Sequence, residues 1–385
     1  MKKICIITGT RAEYGLLKPL IEKISADDEF TLQLLVTGAH LSPEFGLTYR
    51  QIEFDGYRID AKVEMLLSSD TEEGITKSMG LGMIGYADAF KQLSPDLLVI
   101  LGDRYEMLAV ASTALIFRIP IAHIHGGELT EGAYDDAIRH AITKMSALHF
   151  TSTEVYRQRV IQLGEQPERV YNVGAIGLDN IRSLQLLSRD ELEKELHITF
   201  NRFNYLVGFH PETLSHQSVE VQFNELLQAI DMQTDSFFIF TKANADTNGR
   251  IINQMMETYV NKHPEKSVLF TSLGTLRYLS VMTQVTAVLG NSSSGIVEAP
   301  SIPTATINIG DRQKGRIQAE SIINCNANKE EIVGAFQKVK SEEFRKKIEN
   351  VINPYGNGTA SHQIMKIFKT LSPERLSRKT FYDIQ

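Results

Sequence analysis

The sequence predicts an α/β chain built on two doubly wound parallel sheets, and three observations carry that expectation. Short apolar runs alternate with longer amphipathic segments: KICIITGT, TLQLLVTG, DLLVILGD, IPIAHIHGG and ALHFTST punctuate the first half. These runs are apolar throughout rather than alternating, as expected of parallel strands buried on both faces. The pattern then begins again after a softer stretch, Asn172 to Ile181, with NYLVGFHPE, FFIFTKAN, SVLFTSL, AVLGNSSSG and TATINIG. Strand–helix–strand repetition implies right-handed crossovers and a doubly wound layer system in each half.

Taken in order, the first strand is followed by the helical pattern YGLLKPLIEKI, and a glycine-studded helix is expected around Gly74 to Leu93. DLLVILGD is a strand bounded by Pro95 and Gly102. In the second half, Ser188 with Glu191 three residues on has capping-box spacing ahead of a helix. A long helix is expected from Ser218 to Asp231. The boundary is placed near Gly174 to Asp179, giving a first domain over 1–175, a second over 176–360, and a last helix, HQIMKIFKTL, within 361–385 that packs back on the first domain. Ligands of open α/β sheets sit at the C-terminal ends of strands, so two such domains facing each other form a central cleft.

Composition bounds the function. The chain has 385 residues, 42% hydrophobic and 23% charged, which is ordinary for a globular protein of two domains. Its net charge of −7 argues against a general nucleic-acid or anionic-membrane surface. No apolar run approaches the ~20 residues of a membrane span. The apolar run after MKK is too short for a signal peptide and reads as the first strand, so a cytoplasmic protein is expected. Two distant cysteines, Cys5 and Cys325, give neither a disulfide framework nor a cysteine metal site.

Five segments at strand ends carry candidate chemistry. TGTRAEYG, Thr8 to Gly15, follows the first strand and opens the first helix, where backbone amides and the helix dipole favour an anion. Arg11 adds a forked cation, and Gly15 closes the motif; the plain alternative is a tight βα turn. It is not GxGxxG, and no GxxxxGK[ST] occurs. LGDRYE places Asp103 at the end of a buried strand, where a carboxylate is costly unless paired or solvated, with Arg104 beside it; the alternative is an Asp that caps the next helix. HIHGGELTEGAYDDAIRH puts His123 and His125 at alternating positions, read as one strand face, followed by Glu128, Glu131, Asp135 and Asp136, then Arg139 and His140. This is an acid–base set, or a helix cap with a core histidine. Histidine and carboxylate also suit zinc or iron, but the spacing matches no named ligand pattern. GFHPET ends a strand on His210, a phosphate donor, proton shuttle or half-buried core residue. GNSSSGIVEAP gathers Asn291, Ser292, Ser293, Ser294 and Gly295 at a helix start suited to a diphosphate, with Glu298 placed for a ribose. Arg312 and Arg316 follow in GDRQKGR.

Together these motifs, in order over nearly the whole chain, resemble the UDP-N-acetylglucosamine 2-epimerase family, and LGDR with HGGE…DDAIRHAITK resembles its hydrolysing branch. The resemblance implies two Rossmann-like domains in a glycosyltransferase-B-like fold. It places Arg11, Arg104, His210 and Asn244 on the nucleotide sugar, Ser292 and Ser293 on the diphosphate, Glu298 on the ribose, and the backbone near Leu273 on uracil. The implied chemistry is anti-elimination of UDP to a 2-acetamidoglucal, followed by hydration with inversion at C2, without metal or redox cofactor. UDP-N-acetylglucosamine, giving N-acetylmannosamine for sialic-acid synthesis, is the implied substrate. A UDP-2,4-diacetamido-trideoxy sugar on the legionaminic-acid route is the alternative, and a non-hydrolysing epimerase, a glycosyltransferase or a silent sensor are further ones. Asp103, Glu128, Asp135, Asp136 and His125 are the base candidates, because His125 stands where the family usually has Glu. A dimer or tetramer is expected.

Overall fold

The computed structural model describes residues 1–69, 71–130, 134–212, 217–243, 249–372, 376 and 378–384. The chain divides into two compact units: Met1–Glu128 with Asp135–Asn180 and Tyr355–Gln385, and Leu129–Tyr134 with Ile181–Pro354.

The first unit runs β1 (Lys2–Thr8), α1 (Arg11–Ser25), β2 (Phe30–Thr37), α2 (Tyr49–Phe54), β3 (Ala61–Val63), α3 (Glu72–Leu93), β4 (Leu97–Leu101), α4 (Tyr105–Phe117), β5 (Ile121–Ile124), α5 (Asp135–Met145), β6 (Leu148–Thr151), α6 (Glu154–Gln162), β7 (Val170–Asn172) and α7 (Leu178–Ser183), which straddles the division. Its seven strands are ordered β3-β2-β1-β4-β5-β6-β7, and the pairings are parallel. The order reverses between β1 and β4, which is the switch point where such sheets bind ligands. Alternate residues of β1 go to opposite faces: Ile4 and Ile6 join α1 through Leu17, Leu20 and Ile24, whereas Cys5 and Ile7 join α3 and α4 through Phe90, Met107 and Val110. That two-sided burial is why the run ICII, Ile4 to Ile7, carries no polar position.

The second unit runs α8 (Arg189–Leu196), β8 (Phe203–Gly208), α9 (Val219–Asp231), β9 (Ser236–Thr241), α10 (Gly249–Lys262), β10 (Ser267–Phe270), α11 (Gly274–Gln284), β11 (Ala287–Gly290), α12 (Ser293–Val297), β12 (Ala305–Ile309), β13 (Ile322–Cys325), α13 (Lys329–Lys340) and α14 (Glu342–Ile348). Six strands in the order β10-β9-β8-β11-β12-β13 repeat the topology, with the switch between β8 and β11. Tyr205 and Val207 pack with α9, α10 and α13, and Leu206 packs with α8 and α11 on the other face. Ser188 caps α8, and Glu191 returns the capping-box bond at 2.8 Å.

The last helix, α15 (Ala360–Thr370), lies on the first unit, where Ile364, Met365 and Phe368 are buried in the same cluster as Ile21 and Ile24. Each such side chain contributes about 1.5–3 kcal/mol by leaving water, and Lys2 adds a bond to the Leu371 carbonyl at 2.6 Å. The divisions fall at 180 and 354 rather than at the expected 175 and 360. Local bonds explain the shift. The Ala175 amide donates to the Tyr355 carbonyl at 2.8 Å, Asp179 accepts from the Ala360 and Ser361 amides at 2.9 and 2.7 Å, and Asn180 Nδ2 donates to the Gly15 carbonyl at 2.8 Å.

Candidate active site

The β1–α1 turn is built as an N-cap. Thr10 has extended backbone, and its hydroxyl accepts from the Glu13 amide at 3.2 Å. Glu13 reaches back so that one carboxylate oxygen takes the Gly9 and Thr10 amides at 2.6 and 3.2 Å. The expected anion cradle is therefore already filled by the chain's own carboxylate at those two amides. Glu13 is buried, and burial pushes its carboxyl up to about 7, with Arg104 pulling against it. Arg11 is the first residue of α1 and half-buried. Gly15 lies inside α1 with its carbonyl taken by Asn180.

Past β4, Gly102 takes a left-handed turn at φ 76° that presents Asp103 and Arg104. Arg104 N-caps α4 through its backbone alone and forks onto the fully buried Glu106 at 3.0 and 3.2 Å. Asp103, 22% exposed, is ion-paired with Arg139 of α5, which is itself 2% exposed. Arg139 also donates to the Glu128 carbonyl at 2.8 Å. Asp103 is thus an ion-pair partner and not a helix cap.

The two histidines do not share a strand face. Strand β5 ends at Ile124, and His125 adopts φ 66°, which breaks the alternation. His123 is fully buried, its Nε2 2.7 Å from the Gly102 carbonyl and its Nδ1 3.1 Å from the Thr143 hydroxyl. A carbonyl only accepts, so Nε2 carries the proton, and burial holds the ring neutral by pushing its pKa down to about 3. His123 therefore holds the Gly102 turn beside Asp103. His125 accepts the Ile176 amide on Nε2 at 3.2 Å, which leaves Nδ1 to face Glu128 at 3.7 Å. Glu128 is buried and accepts the Ser152 hydroxyl at 2.6 Å. Glu128 is consequently the orienting partner of His125 and does not reach into the open from the loop. Gly127 needs its glycine: φ is 79°, and a Cβ would stand 2.5 Å from the Tyr156 carbonyl.

Asp135 and Asp136 open α5, both half-buried. Asp136 lies 3.4 Å from His140 and 4.0 Å from Arg139. Burial lowers the His140 pKa, and Asp136 opposes that shift. Glu131 lies outside the described residues, as does Asn244. Among the described residues no group of three or more His, Cys, Asp and Glu side chains is placed to hold a metal ion.

In the second unit the switch point is equally crowded. Gly290 pairs with Gly208 at φ 126°, and a Cβ there would stand 2.1 Å from the Gly208 carbonyl. Asn291 is fully buried and clamps the backbone of His210: Oδ1 accepts its amide at 2.7 Å and Nδ2 donates to its carbonyl at 2.8 Å. Asn291 therefore fixes the backbone of His210 at this strand end. Ser292 caps α12, Ser293 is exposed and Ser294 is half-buried. Gly295 is buried against Thr306, whose hydroxyl donates to the Gly295 carbonyl at 2.7 Å, and a Cβ on Gly295 would crowd that side chain. Glu298 is half-buried at the end of α12, and Tyr278 faces Ser294 and Ser292. Leu273 has a buried side chain and a carbonyl that accepts from Arg277 at 2.9 Å. Arg312 reaches the Asn291 carbonyl at 3.2 Å, and Gln313 reaches it at 2.8 Å. Glu212 accepts the Asp311 and Arg312 amides at 2.8 and 3.2 Å, and burial raises its pKa.

The first unit thus gathers ionisable groups with some access to solvent, and the second gathers hydroxyls, His210 and Arg312 around one strand end. Ser152, Glu106, Glu212 and the capping role of Glu13 were not singled out from sequence, although Thr10-x-x-Glu13 shows the same capping spacing as Ser188-x-x-Glu191.

This combination defines a family of nucleotide-sugar enzymes. The family model for UDP-N-acetylglucosamine 2-epimerase matches residues 22–369. The chain is 45% identical, over 100% of its length and 99% of the relative's, to a Campylobacter jejuni GDP/UDP-N,N'-diacetylbacillosamine 2-epimerase (hydrolyzing). It is 40% identical to the Escherichia coli polysialic acid biosynthesis protein P7, covering 100% and 98%. It is 32% identical to a Legionella pneumophila UDP-N,N'-diacetylbacillosamine 2-epimerase (hydrolyzing), covering 96% of each. The crystal structure of a putative UDP-N-acetylglucosamine 2-epimerase from Listeria monocytogenes shares the fold, with a TM-score of 0.81 at 18% identity and 100% coverage of both chains. The chain belongs to the UDP-N-acetylglucosamine 2-epimerase family, and it groups with members named as hydrolysing.

Proposed function

We propose that this chain hydrolyses a UDP-activated 2-acetamido sugar with inversion at C2, releasing the free epimeric sugar and UDP. A base removes the C2 proton, the C1–oxygen bond breaks and UDP leaves. Water then returns hydroxyl to C1, and a proton adds to C2 on the opposite face. The observation that carries this reading is the pairing of Asp103 with Arg139, which holds a partly exposed carboxylate at a strand end. Asp103 is assigned the C2 proton. His125 and Glu128, 3.7 Å apart, are assigned together as the second acid–base group. His210, Ser292, Ser293, Ser294, Arg312 and Glu298 are assigned to the nucleotide, with Arg11 and Arg104 as further anion contacts. Asp135 and Asp136 with His140 form a reserve acid–base group.

The 2,4-diacetamido-trideoxy sugar is the favoured substrate, because the 45% and 32% relatives are both named for it. UDP-N-acetylglucosamine is the second reading, favoured by the polysialic-acid relative. No helix among the described residues is long and apolar enough to cross a membrane. Self-association is proposed as well, through the apolar side chains that α3 and α4 leave exposed, among them Ile84 at 68% and Ile116 at 78%. Ile84→Lys with Ile116→Lys should reduce the mass measured by light scattering, and an unchanged mass would remove that face from any assembly.

The test is to supply the UDP-diacetamido sugar, its GDP counterpart and UDP-N-acetylglucosamine separately, without an acceptor, and to follow free nucleoside diphosphate by phosphorus NMR. UDP release from the diacetamido sugar supports the reading. Release from UDP-N-acetylglucosamine alone selects the second reading. Release only after an acceptor is added makes the protein a transferase.

A further inference from the structure

The C-terminal segment carries no readable pattern in the sequence, yet it makes dense contacts. Lys379 Nζ lies 2.6 Å from the Lys144 carbonyl, 2.8 Å from the Ser146 carbonyl and 3.5 Å from that of Thr143, all at the C-terminal end of α5. It also lies 2.7 Å from the buried carboxylate of Glu165. The neighbouring residues hold the segment down. The Thr380 hydroxyl accepts from Gln166 at 2.9 Å, Phe381 sits against Gly164 and under Lys144, and the Tyr382 amide donates to the Gly164 carbonyl at 2.9 Å.

A cation on the last carbonyls of a helix satisfies acceptors that have no partner within the helix and complements its dipole. Helix α5 is short, about 16 Å at 1.5 Å per residue, and its first two turns hold Asp135, Asp136 and Arg139. Fixing its far end sets where Arg139 meets Asp103. Glu165 extends the contact: it also holds Lys144 at 2.7 Å and His149 at 3.0 Å, and His149 stands in register with His123 beneath the Gly102 turn. Two routes from Lys379 therefore end at Asp103.

We propose that the C-terminal segment is a strap on α5 and that Lys379 is a positioning residue for Asp103, acting through Arg139. Its activity arm rests on the reaction proposed above. The experiment compares the full chain with Lys379→Met, Lys379→Arg, Arg139→Met and the Lys379→Met/Arg139→Met double variant. It reads kcat, KM, UDP affinity and amide hydrogen exchange over α5. Lys379→Met should lower kcat about tenfold, as a small misplacement of a catalytic group does, and leave UDP affinity unchanged. It should also speed exchange of α5 amides, whereas Lys379→Arg should restore most of the rate. In the double variant the Lys379 change should add nothing to the loss caused by Arg139→Met. Wild-type kcat in Lys379→Met would overturn the proposal, and so would losses that multiply in the double variant. If Lys379→Met does not fold, Tyr382→Ala, which removes a ring packed against Val160, Ile161 and Val170, loosens the same strap and is read against the same outcomes. If the wild-type chain turns over no nucleotide sugar, the reaction reading fails while α5 exchange still decides the strap.

Discussion

Arg139 and Asp103 form an ion pair in which the guanidinium is buried and the carboxylate remains partly open. The arrangement aims the Asp103 carboxylate, because Arg139 is itself held by the Glu128 carbonyl. Asp103→Asn should keep UDP binding and lose turnover by about 10²–10⁴-fold, the usual contribution of a positioned base. Arg139→Met should lose both rate and stability, since it strips the partner from a half-buried charge. Titration calorimetry with UDP beside steady-state rates checks both. Wild-type turnover in Asp103→Asn would remove that residue from the chemistry.

Glu13 gives a pH signature. Its carboxyl is pushed up from 4.5 to about 7 by burial, so the folded chain binds the proton more tightly than the unfolded chain. Stability from this group is present in acid and is lost as pH rises from about 4.5 to about 7. Glu13→Gln keeps an acceptor for the Gly9 and Thr10 amides and removes the buried charge. Above about pH 7 it should be more stable than wild type by up to about 3 kcal/mol, at 1.36 kcal/mol per pKa unit, as read by urea unfolding at several pH values. Lower stability there would mean that the ionised form is what the turn requires.

The buried histidines act in the opposite direction. Burial pushes His40 down from 6.5 to about 4, and the unfolded chain then binds more protons than the folded one across that window. The contribution is complete above about 6.5 and is lost as pH falls towards about 4. In wild type the Glu13 and His40 slopes partly cancel, so Glu13→Gln should show a steeper loss of stability on acidification. A parallel pH profile in the two proteins would contradict this.

Asn291 is expected to act through His210. Asn291→Ala deletes two buried hydrogen bonds and should cost about 2–3 kcal/mol. UDP binding should weaken because the His210 backbone loses its clamp. Asn291→Asp is a sharper comparison, since it leaves the His210 carbonyl without its donor. A melting scan with UDP affinity checks both, and unaltered affinity in Asn291→Ala would show that the clamp is dispensable.

Much of this was legible in the sequence because the physics is local. A strand buried on both faces must be apolar at every position, so ICII, LLVIL and AVLG marked β1, β4 and β11. Strand ends of such sheets carry ligands, so position alone marks the motifs at Asp103, His125, His210 and Ser292 as candidates. Partnership was not legible. Asp103 meets Arg139, and Glu128 meets Ser152, because β4, β5 and β6 lie side by side, which no spacing encodes. The face shared by His123 and His125 was misread because alternation ends where His125 turns left-handed. The Lys379 strap lacks periodicity altogether, since a single cation on helix carbonyls needs no pattern around it.

Proton NMR in deuterated water with the UDP-diacetamido sugar tests the central claim most directly. The expected result is UDP together with the free C2-inverted sugar carrying deuterium at C2, and neither product from Asp103→Asn. A released sugar that kept its original C2 hydrogen would show that no proton is exchanged at that carbon, and would contradict elimination and hydration as the route.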